Sequence, residues 1–204
     1  MRINKKKFIY LISPNKIYPE FYHDLNQILR TGKVALFQLR LKKYSLKQKI
    51  VIGKKIQRIC KKNNIKFIVN DDPILSKTLN ADGCHLGQKD MDIKNARKII
   101  GKKIIGVTCH NSIKLAKAAI KENADYIAFG AFFSTKTKKV IFKADIKILN
   151  KIKKLTKTPI VAIGGINFDN YKKLLLNNAN LLAISSYVWN NKKYKPLETI
   201  VKIK

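Results

Sequence analysis

The sequence predicts a single (β/α)₈ barrel, a TIM barrel in which eight parallel strands alternate with helices. Short apolar runs recur at fairly even spacing, and eight of them read as strands, which is the number that this barrel requires. Longer segments between the runs carry apolar residues at helical spacing, and alternating strands and helices produce a parallel sheet with crossover connections. The length of 204 residues lies near the low end of the range for the fold.

The eight candidate strands are short apolar runs that end at polar or turn-forming residues. In chain order they are Phe8–Ile12, Val34–Leu39, Phe67–Val69, Gly83–Leu86, Ile104–Val107, Tyr126–Phe129, Ile160–Ile163 and Leu181–Ile184.

The candidate helices are recognised by apolar stripes at helical spacing, with lysines on the opposite face. A short helix is expected after Pro73, and four stripes mark longer ones: Leu46, Ile50, Ile56 and Ile59; Leu115, Ala118, Ala119 and Glu122; Ile146, Leu149, Ile152 and Leu155; and Leu174, Leu175 and Ala179.

The whole chain, residues 1–204, is expected to form one domain. No linker rich in Pro, Gly or Ser and no shift in composition divides it. The alternative architecture is a doubly wound open sheet, which usually carries a glycine-rich fingerprint after its first strand. Here the first strand is followed by Ser13-Pro14-Asn15-Lys16, so the closed barrel is favoured.

The chain is strongly basic, with 44 Lys and Arg against 12 Asp and Glu and a formal net charge of +32. Such a charge normally indicates nucleic acid or an anionic surface as partner. The lysines are nevertheless spread along nearly the whole chain beside many Ile and Asn residues, and all three residue types have A/T-rich codons. Neither nucleic acid nor a membrane is therefore expected as partner, although a positive field raises the encounter rate of phosphorylated substrates.

Cysteine usage and the first residues indicate a cytoplasmic protein. Cys60, Cys84 and Cys109 are odd in number and far apart, so a disulfide framework or a zinc site is not expected. The run Phe8–Ile12 is too short for the apolar region of a signal peptide and ends at Ser13-Pro14.

Two acidic clusters follow neighbouring strands and point to a metal. Asp71 comes directly after the strand Phe67–Val69, and Asp90 follows the next strand. Carboxyl ends of parallel strands meet at the rim where barrels bind ligands, and carboxylates without nearby His or Cys clusters suit Mg²⁺. The alternative is that Asn70-Asp71-Asp72-Pro73 is only a turn and a helix cap.

The second strand ends in Gln38-Leu39-Arg40-Leu41-Lys42, which places one amide and two cations on the same side. This set suits an anionic ligand with a hydrogen-bonding ring. Two exposed cations on an ordinary surface are the alternative, but a buried Gln38 amide in an apolar run requires a partner.

Later strand ends add hydroxyl groups, cations and glycines that suit phosphate. Gly164-Gly165 follows strand seven and Ser185-Ser186 follows strand eight, where barrels of this fold frequently bind phosphate. Strand five places Thr108 and His110 on one side by alternation. The loop after strand six interleaves hydroxyls with lysines, as Thr135, Lys136, Thr137 and Lys138.

Taken together, these motifs resemble the thiamine-phosphate synthase family, a group that also contains thiazole tautomerases. The resemblance runs from Phe8 to Val188 in unbroken order. It rests on Gln38-Leu39-Arg40-Leu41-Lys42, Val69-Asn70-Asp71-Asp72, His85-Leu86-Gly87-Gln88-Lys89-Asp90, Gly106-Val107-Thr108-Cys109-His110, Thr135-Lys136-Thr137-Lys138, Val161-Ala162-Ile163-Gly164-Gly165-Ile166 and Ser185-Ser186.

The resemblance implies condensation of a hydroxymethylpyrimidine diphosphate with a thiazole phosphate, in a possible homo-oligomer with one Mg²⁺ per subunit. Among the matching positions, Gln38, Arg40, Lys42 and Asn70 would hold the pyrimidine diphosphate, and Asp71 and Asp90 would bind Mg²⁺. Thr108 and Lys138 would contact pyrophosphate, and with Arg40 and Lys42 they are the candidate catalytic residues. The thiazole-phosphate site would comprise Thr135, Thr137, Gly165, Ser185 and Ser186.

The chain departs from the family pattern mainly on the thiazole side, at Ser134, Ser185 and the segment Val140-Ile141-Phe142-Lys143. Leu41 also replaces a usual Glu, although it alternates away from the site. A tautomerase using His110 as acid or base remains the alternative, with a basic nucleic-acid-binding protein less favoured. The cationic strand end and the two carboxylates favour the synthase, because a tautomerase needs neither Mg²⁺ nor a pyrophosphate site.

Overall fold

A computed structural model of the chain describes residues 7–134 and 142–203. Eight parallel strands pair in sequence order and close into one barrel, with the last strand hydrogen-bonded to the first, so the predicted (β/α)₈ fold is confirmed. The strands are β1 Ile9–Ile12, β2 Val34–Leu39, β3 Lys66–Asn70, β4 Gly83–Leu86, β5 Ile104–His110, β6 Tyr126–Phe129, β7 Ile160–Ile163 and β8 Leu181–Ile184.

Helices follow the strands and cover the outside of the barrel. They are α1 Phe21–Arg30, α2 Leu46–Lys62, α3 Pro73–Thr78, α4 Ile93–Ile100, α5 Ile113–Lys121, α6 Lys147–Lys153, α7 Tyr171–Leu176, α8 Ser186–Trp189 and α9 Pro196–Lys202. Side chains before the helices cap several of them: Asp72 accepts a hydrogen bond from Leu75 N at the start of α3, and Asp92 accepts one from Asn95 N at the start of α4.

The apolar stripes of the sequence identify most, but not all, of the helix faces that pack on the barrel. Ile56, Leu149 and Ile152 are fully buried. Leu46 and Leu155 are instead more than half exposed; Leu46 is the first residue of α2, and Leu155 lies beyond the end of α6.

Two apolar layers form the core, one inside the barrel and one between the barrel and the helices. Tyr10 on β1 and Tyr126 on β6 belong to the inner layer and are among the largest fully buried side chains. Gly106 on β5 makes room for the second, since a Cβ there would lie 1.8 Å from Tyr126 Cζ. The interior is thus filled by large side chains rather than left open.

Cys60, Cys84 and Cys109 are buried and have free thiols. Among the described residues, no helix combines the length and apolar character needed to cross a membrane.

Candidate functional site

The carboxylate of Asp71 lies at the end of β3 beside a lysine from β2's end. Lys42 Nζ is 3.1 Å from Asp71 Oδ2. Asp71 has φ of +65°, a left-handed conformation that Asp adopts more readily than most residues. Its backbone N–H donates to His85 O at 2.8 Å, so the end of β4 helps to hold this turn in place.

Asp90 brings a second carboxylate to the same place. Its Oδ2 accepts a hydrogen bond from Gly87 N at 2.6 Å. Burial raises the pKa of Asp90, the Gly87 N–H opposes that shift, and the neighbouring Asp71 carboxyl raises it further. Part of the rise in the Asp90 pKa comes from the negative charge of Asp71, a repulsion that a cation between the two carboxylates would relieve.

The donor set fits a magnesium ion that is shared with a phosphorylated ligand. Mg²⁺ is usually held by one or two carboxylates, with substrate phosphates and water completing an octahedron. Asp71 and Asp90 supply two hard oxygen donors, and the described residues contain no cluster of three or more His, Cys, Asp or Glu that could hold a metal alone. The remaining ligands would have to come from substrate and solvent.

The cap interpretation is correct for Asp72 but not for its neighbour. Asp72 accepts from Leu75 N at 2.8 Å and begins α3, whereas the Asp71 side chain pairs with Lys42. Adjacent aspartates in one turn therefore have different roles, one structural and one at the rim.

Arg40 extends the cationic side of the site. Its backbone N–H donates to Ser13 Oγ at 2.9 Å, and its guanidinium Nη1 donates to Asn15 Oδ1 at 3.4 Å. Burial lowers the pKa of Arg40, and the negative charge of Asp71 opposes this change. Arg40 and Lys42 together place two cations next to the carboxylates, an arrangement that suits a diphosphate bound together with a metal.

Ser13 also ties the end of β1 to the end of β8. It is buried, and its carbonyl oxygen accepts a hydrogen bond from Ser185 Oγ at 3.1 Å. Ser185 precedes α8, and Ser186 is its first residue. Both serines therefore lie at the carboxyl end of β8, as the sequence predicted.

Gln38 is 2% exposed, and its Nε2 donates to Tyr10 Oη at 2.7 Å. The buried amide thus has the partner that the sequence required. Tyr10 Oη is 2.7 Å from Tyr126 Oη, which in turn is 2.9 Å from His85 Nδ1.

The same series of contacts ends at Thr108, whose Oγ1 is 2.8 Å from His85 Nε2. Burial raises the pKa values of Tyr10 and Tyr126 and lowers that of His85 to about 4, so all three side chains are neutral near pH 7. Tyr10 and Tyr126 lie within apolar runs and His85 entered the resemblance only as part of a motif, so none of the three was predicted as a site residue.

The expected alternation of Thr108 and His110 is interrupted. The pairing of β5 with β6 shifts register between these two residues, and His110 has φ of +51°. Its ring packs on Phe142 with centroids 4.3 Å apart. His110 therefore lies beside the segment that follows the loop after β6.

The loops after β6 and β7 contact each other through glycines. Gly164 and Gly165 have positive φ values, and a Cβ at Gly165 would lie 2.3 Å from Ser134 O. The glycine pair thus permits close approach of the two loops. Thr135, Thr137 and Lys138 lie outside the described residues.

A cavity of about 390 Å³ opens beside the carboxylate of Asp71. Its polar wall includes Lys42 and Asn70, and Leu41 contributes to its apolar wall. Leu41 is buried in the layer between barrel and helices.

Comparisons with known proteins agree on one family. A family model described as thiamine monophosphate synthase matches residues 9–188. A thiamine-phosphate synthase from Pelagibacter ubique (strain HTCC1062) is 64% identical over 208 residues, covering 100% of both chains. One from Erythrobacter litoralis (strain HTCC2594) is 40% identical over 187 residues, covering 89% of this chain and 88% of the relative.

A solved structure shares the fold along nearly the whole chain. The thiamine phosphate pyrophosphorylase from Pyrococcus furiosus has a TM-score of 0.85 and 30% sequence identity, covering 98% of this chain and 94% of that one. Because the family model and near-full-length relatives coincide on this barrel, the chain belongs to the thiamine monophosphate synthase family.

Proposed function

We propose that this protein is a transferase that condenses 4-amino-2-methyl-5-hydroxymethylpyrimidine diphosphate with 4-methyl-5-(2-phosphoethyl)thiazole, or its carboxylated form. The products are thiamine phosphate and pyrophosphate, with CO₂ released as well when the thiazole carries the carboxyl group. Family membership supports the reaction class. The observation that carries the proposal is the pairing of Lys42 with Asp71, 3.1 Å apart, beside the carboxylate of Asp90.

The chemistry requires a site that stabilises a leaving diphosphate. As the bond between the pyrimidine methylene carbon and the diphosphate oxygen breaks, negative charge collects on the diphosphate. Arg40 and Lys42 would hold that group and offset its charge. Bound Mg²⁺, one per subunit and held by Asp71 and Asp90, would supply further charge neutralisation.

The electron-rich aminopyrimidine ring can stabilise the positive methylene carbon, so a dissociative step suits this substrate. The thiazole nitrogen then attacks that carbon, and no nucleophile from the protein is needed. The main work of the protein is to orient both rings and to keep water from the reactive carbon. Gln38 and Asn70 would bind the pyrimidine diphosphate, and Thr108 would donate to pyrophosphate.

The thiazole phosphate would bind on the opposite side of the rim. Gly165, Ser185 and Ser186 lie at the ends of β7 and β8, where barrels of this fold frequently bind phosphate. We assign Thr135 and Thr137 to the same site and Lys138 to the pyrophosphate.

The thiazole tautomerase is less well supported, because an isomerase acting on the thiazole phosphate alone has no use for paired carboxylates beside strand-end cations. We further propose that the protein acts in the cytoplasm as one domain spanning residues 1–204, in a possible homo-oligomer. Its partners would be small phosphorylated substrates rather than nucleic acid.

The direct test is incubation of the purified protein with both substrates and Mg²⁺, followed by mass detection of thiamine phosphate. Parallel reactions omit either the pyrimidine or the metal. We expect product only in the complete reaction. Isomerisation of the thiazole phosphate in the absence of pyrimidine, with no thiamine phosphate in the complete reaction, would favour the tautomerase instead.

A further inference from the structure

A continuous series of polar side chains crosses the inside of the barrel. Gln38, Tyr10, Tyr126, His85 and Thr108 are joined by successive contacts of 2.7, 2.7, 2.9 and 2.8 Å. They come from five different strands, β2, β1, β6, β4 and β5. Four of the five are buried, in a barrel interior otherwise filled by apolar side chains.

The Nε2 amide of Gln38 can only donate, so Tyr10 Oη accepts from it. The contacts from Tyr10 to Tyr126 and from Tyr126 to His85 are each compatible with donation in either direction. The direction that leaves no hydroxyl proton unused runs from Tyr10 to Tyr126 and from Tyr126 to His85 Nδ1. A nitrogen that accepts carries no proton, and the neutral ring of His85 therefore holds its proton at Nε2.

This tautomer determines what Thr108 can do. His85 Nε2 donates to Thr108 Oγ1, so the threonine hydroxyl does not need its own proton for the series. That proton remains available for an acceptor outside the series, and a phosphate oxygen is such an acceptor. If donation ran in the opposite direction, the hydroxyl proton would go to His85, and Thr108 could offer an anion only lone pairs.

The other end of the series is equally defined. No described residue donates a hydrogen bond to Gln38 Oε1. Every fully buried polar side-chain atom of the described residues does have a hydrogen-bond partner. Oε1 is therefore not fully buried. Because Nε2 is held by Tyr10, Oε1 is presented as an acceptor, which suits the exocyclic amino group of an aminopyrimidine.

We propose that Tyr10, Tyr126 and His85 are positioning residues that orient Gln38 as an acceptor and Thr108 as a donor for the two ends of the pyrimidine diphosphate. The role in substrate binding rests on the proposed function, whereas the direction of donation does not. Side chains that hold a fixed orientation for a ligand need support from the residues packed behind them. A buried polar network gives that support when its donors and acceptors are paired with one another or with the ligand.

The first test needs no substrate. In protein labelled with ¹⁵N-histidine near pH 7.5, the His85 ring is assigned by exclusion, using His23→Gln and His110→Gln. We expect the tautomer protonated at Nε2, and in Tyr126→Phe the Nδ1 resonance should move toward that of a nitrogen without a hydrogen-bond donor. A His85 ring protonated at Nδ1 in the wild type would overturn the assigned direction.

The second test separates positioning from general stability by kinetics. Tyr10→Phe should raise the KM for the pyrimidine diphosphate about two- to tenfold, the range for one hydrogen bond, and leave the KM for thiazole phosphate unchanged. Tyr126→Phe should lower kcat by a similar factor. The matched control is Tyr171→Phe, which removes a hydroxyl from a fully buried tyrosine on α7 and should change neither constant.

A double-mutant cycle decides whether Tyr10 acts through Gln38. In a Gln38→Leu background, Tyr10→Phe should cost less than about twofold, because the amide it orients is gone. Independent, multiplying effects would contradict a positioning role. If the wild type forms no thiamine phosphate at all, the proposed function fails, and the histidine tautomer still decides whether the series runs as assigned.

Discussion

Asp71→Asn should abolish most turnover while leaving the protein folded. Asn tolerates left-handed backbone, so the φ of +65° at this position is preserved without new strain. The substitution removes the charge that pairs with Lys42, whose side chain is 56% exposed. Such surface pairs are worth about 0.2–1 kcal/mol, so the free energy of unfolding should fall by no more than that.

The effect on turnover should be far larger. Asp71 is one of the two carboxylates assigned to Mg²⁺, and its loss removes charge stabilisation where the leaving diphosphate gathers charge. Losses from one preorganised electrostatic group are about 10²–10³-fold in kcat. Asp90→Asn should behave alike, because its amide oxygen can still accept from Gly87 N.

The matched control is Asp72→Asn, the same chemical change one residue along the chain. Asp72 caps α3, and Asn caps about as well as Asp, so its kinetics and stability should stay near those of the wild type. Turnover is measured at saturating diphosphate over a range of Mg²⁺ concentrations, with urea unfolding in parallel. Wild-type turnover by Asp71→Asn at every Mg²⁺ concentration would refute the metal assignment.

Four further outcomes are expected. Lys138→Ala should lower kcat more than it raises KM in single-turnover kinetics, and a change in KM alone would reduce it to a steering charge. His110→Ala should slow thiamine phosphate formation only modestly, because the synthase requires no proton transfer from it, whereas a tautomerase would lose about 10²–10⁴-fold. Gly106→Ala should destabilise the fold by about 1–3 kcal/mol in urea unfolding, because its Cβ would overlap Tyr126. The free energy of unfolding should fall as pH drops from about 6.5 to about 4, because in that range the unfolded chain protonates His85 and the folded chain does not. The full loss, roughly 3 kcal/mol, should be absent from His85→Gln in urea unfolding over the same pH range.

Much of the barrel follows from local pattern. The bounds of β2, β4, β6, β7 and β8 agree with the apolar runs of the sequence. Each of these strands is buried along nearly its whole length, so nearly continuous apolar runs mark them. Parallel topology then places the residues that follow at one rim, which is why the sequence alone could predict that Asp71 and Asp90 lie close together.

What the sequence could not give depends on pairing between distant segments. Tyr10 and Tyr126 are 116 positions apart and share a hydrogen bond inside the barrel, yet each resembles an ordinary apolar strand residue. His85 is likewise hidden within Gly83–Leu86. The register shift after Thr108 arises from pairing with β6, so simple alternation could not anticipate it.

Asp71 rather than Asp72 was predicted as the metal ligand, but the local pattern alone does not separate the two. Both occupy a turn before Pro73, and either could have capped α3. Their roles are separated by backbone geometry, because the left-handed conformation of Asp71 turns its carboxylate toward Lys42 while Asp72 stays extended at the cap.

The location of the metal and the diphosphate is the central claim, and anomalous diffraction tests it most directly. Crystals of the wild type would be grown with pyrophosphate and Mn²⁺, which replaces Mg²⁺ and scatters anomalously. The expected result is one peak between the carboxylates of Asp71 and Asp90, in contact with a pyrophosphate that Arg40 and Lys42 also bind. A metal bound elsewhere, or pyrophosphate bound away from these cations, would contradict the assignment of this rim as the site of the reaction.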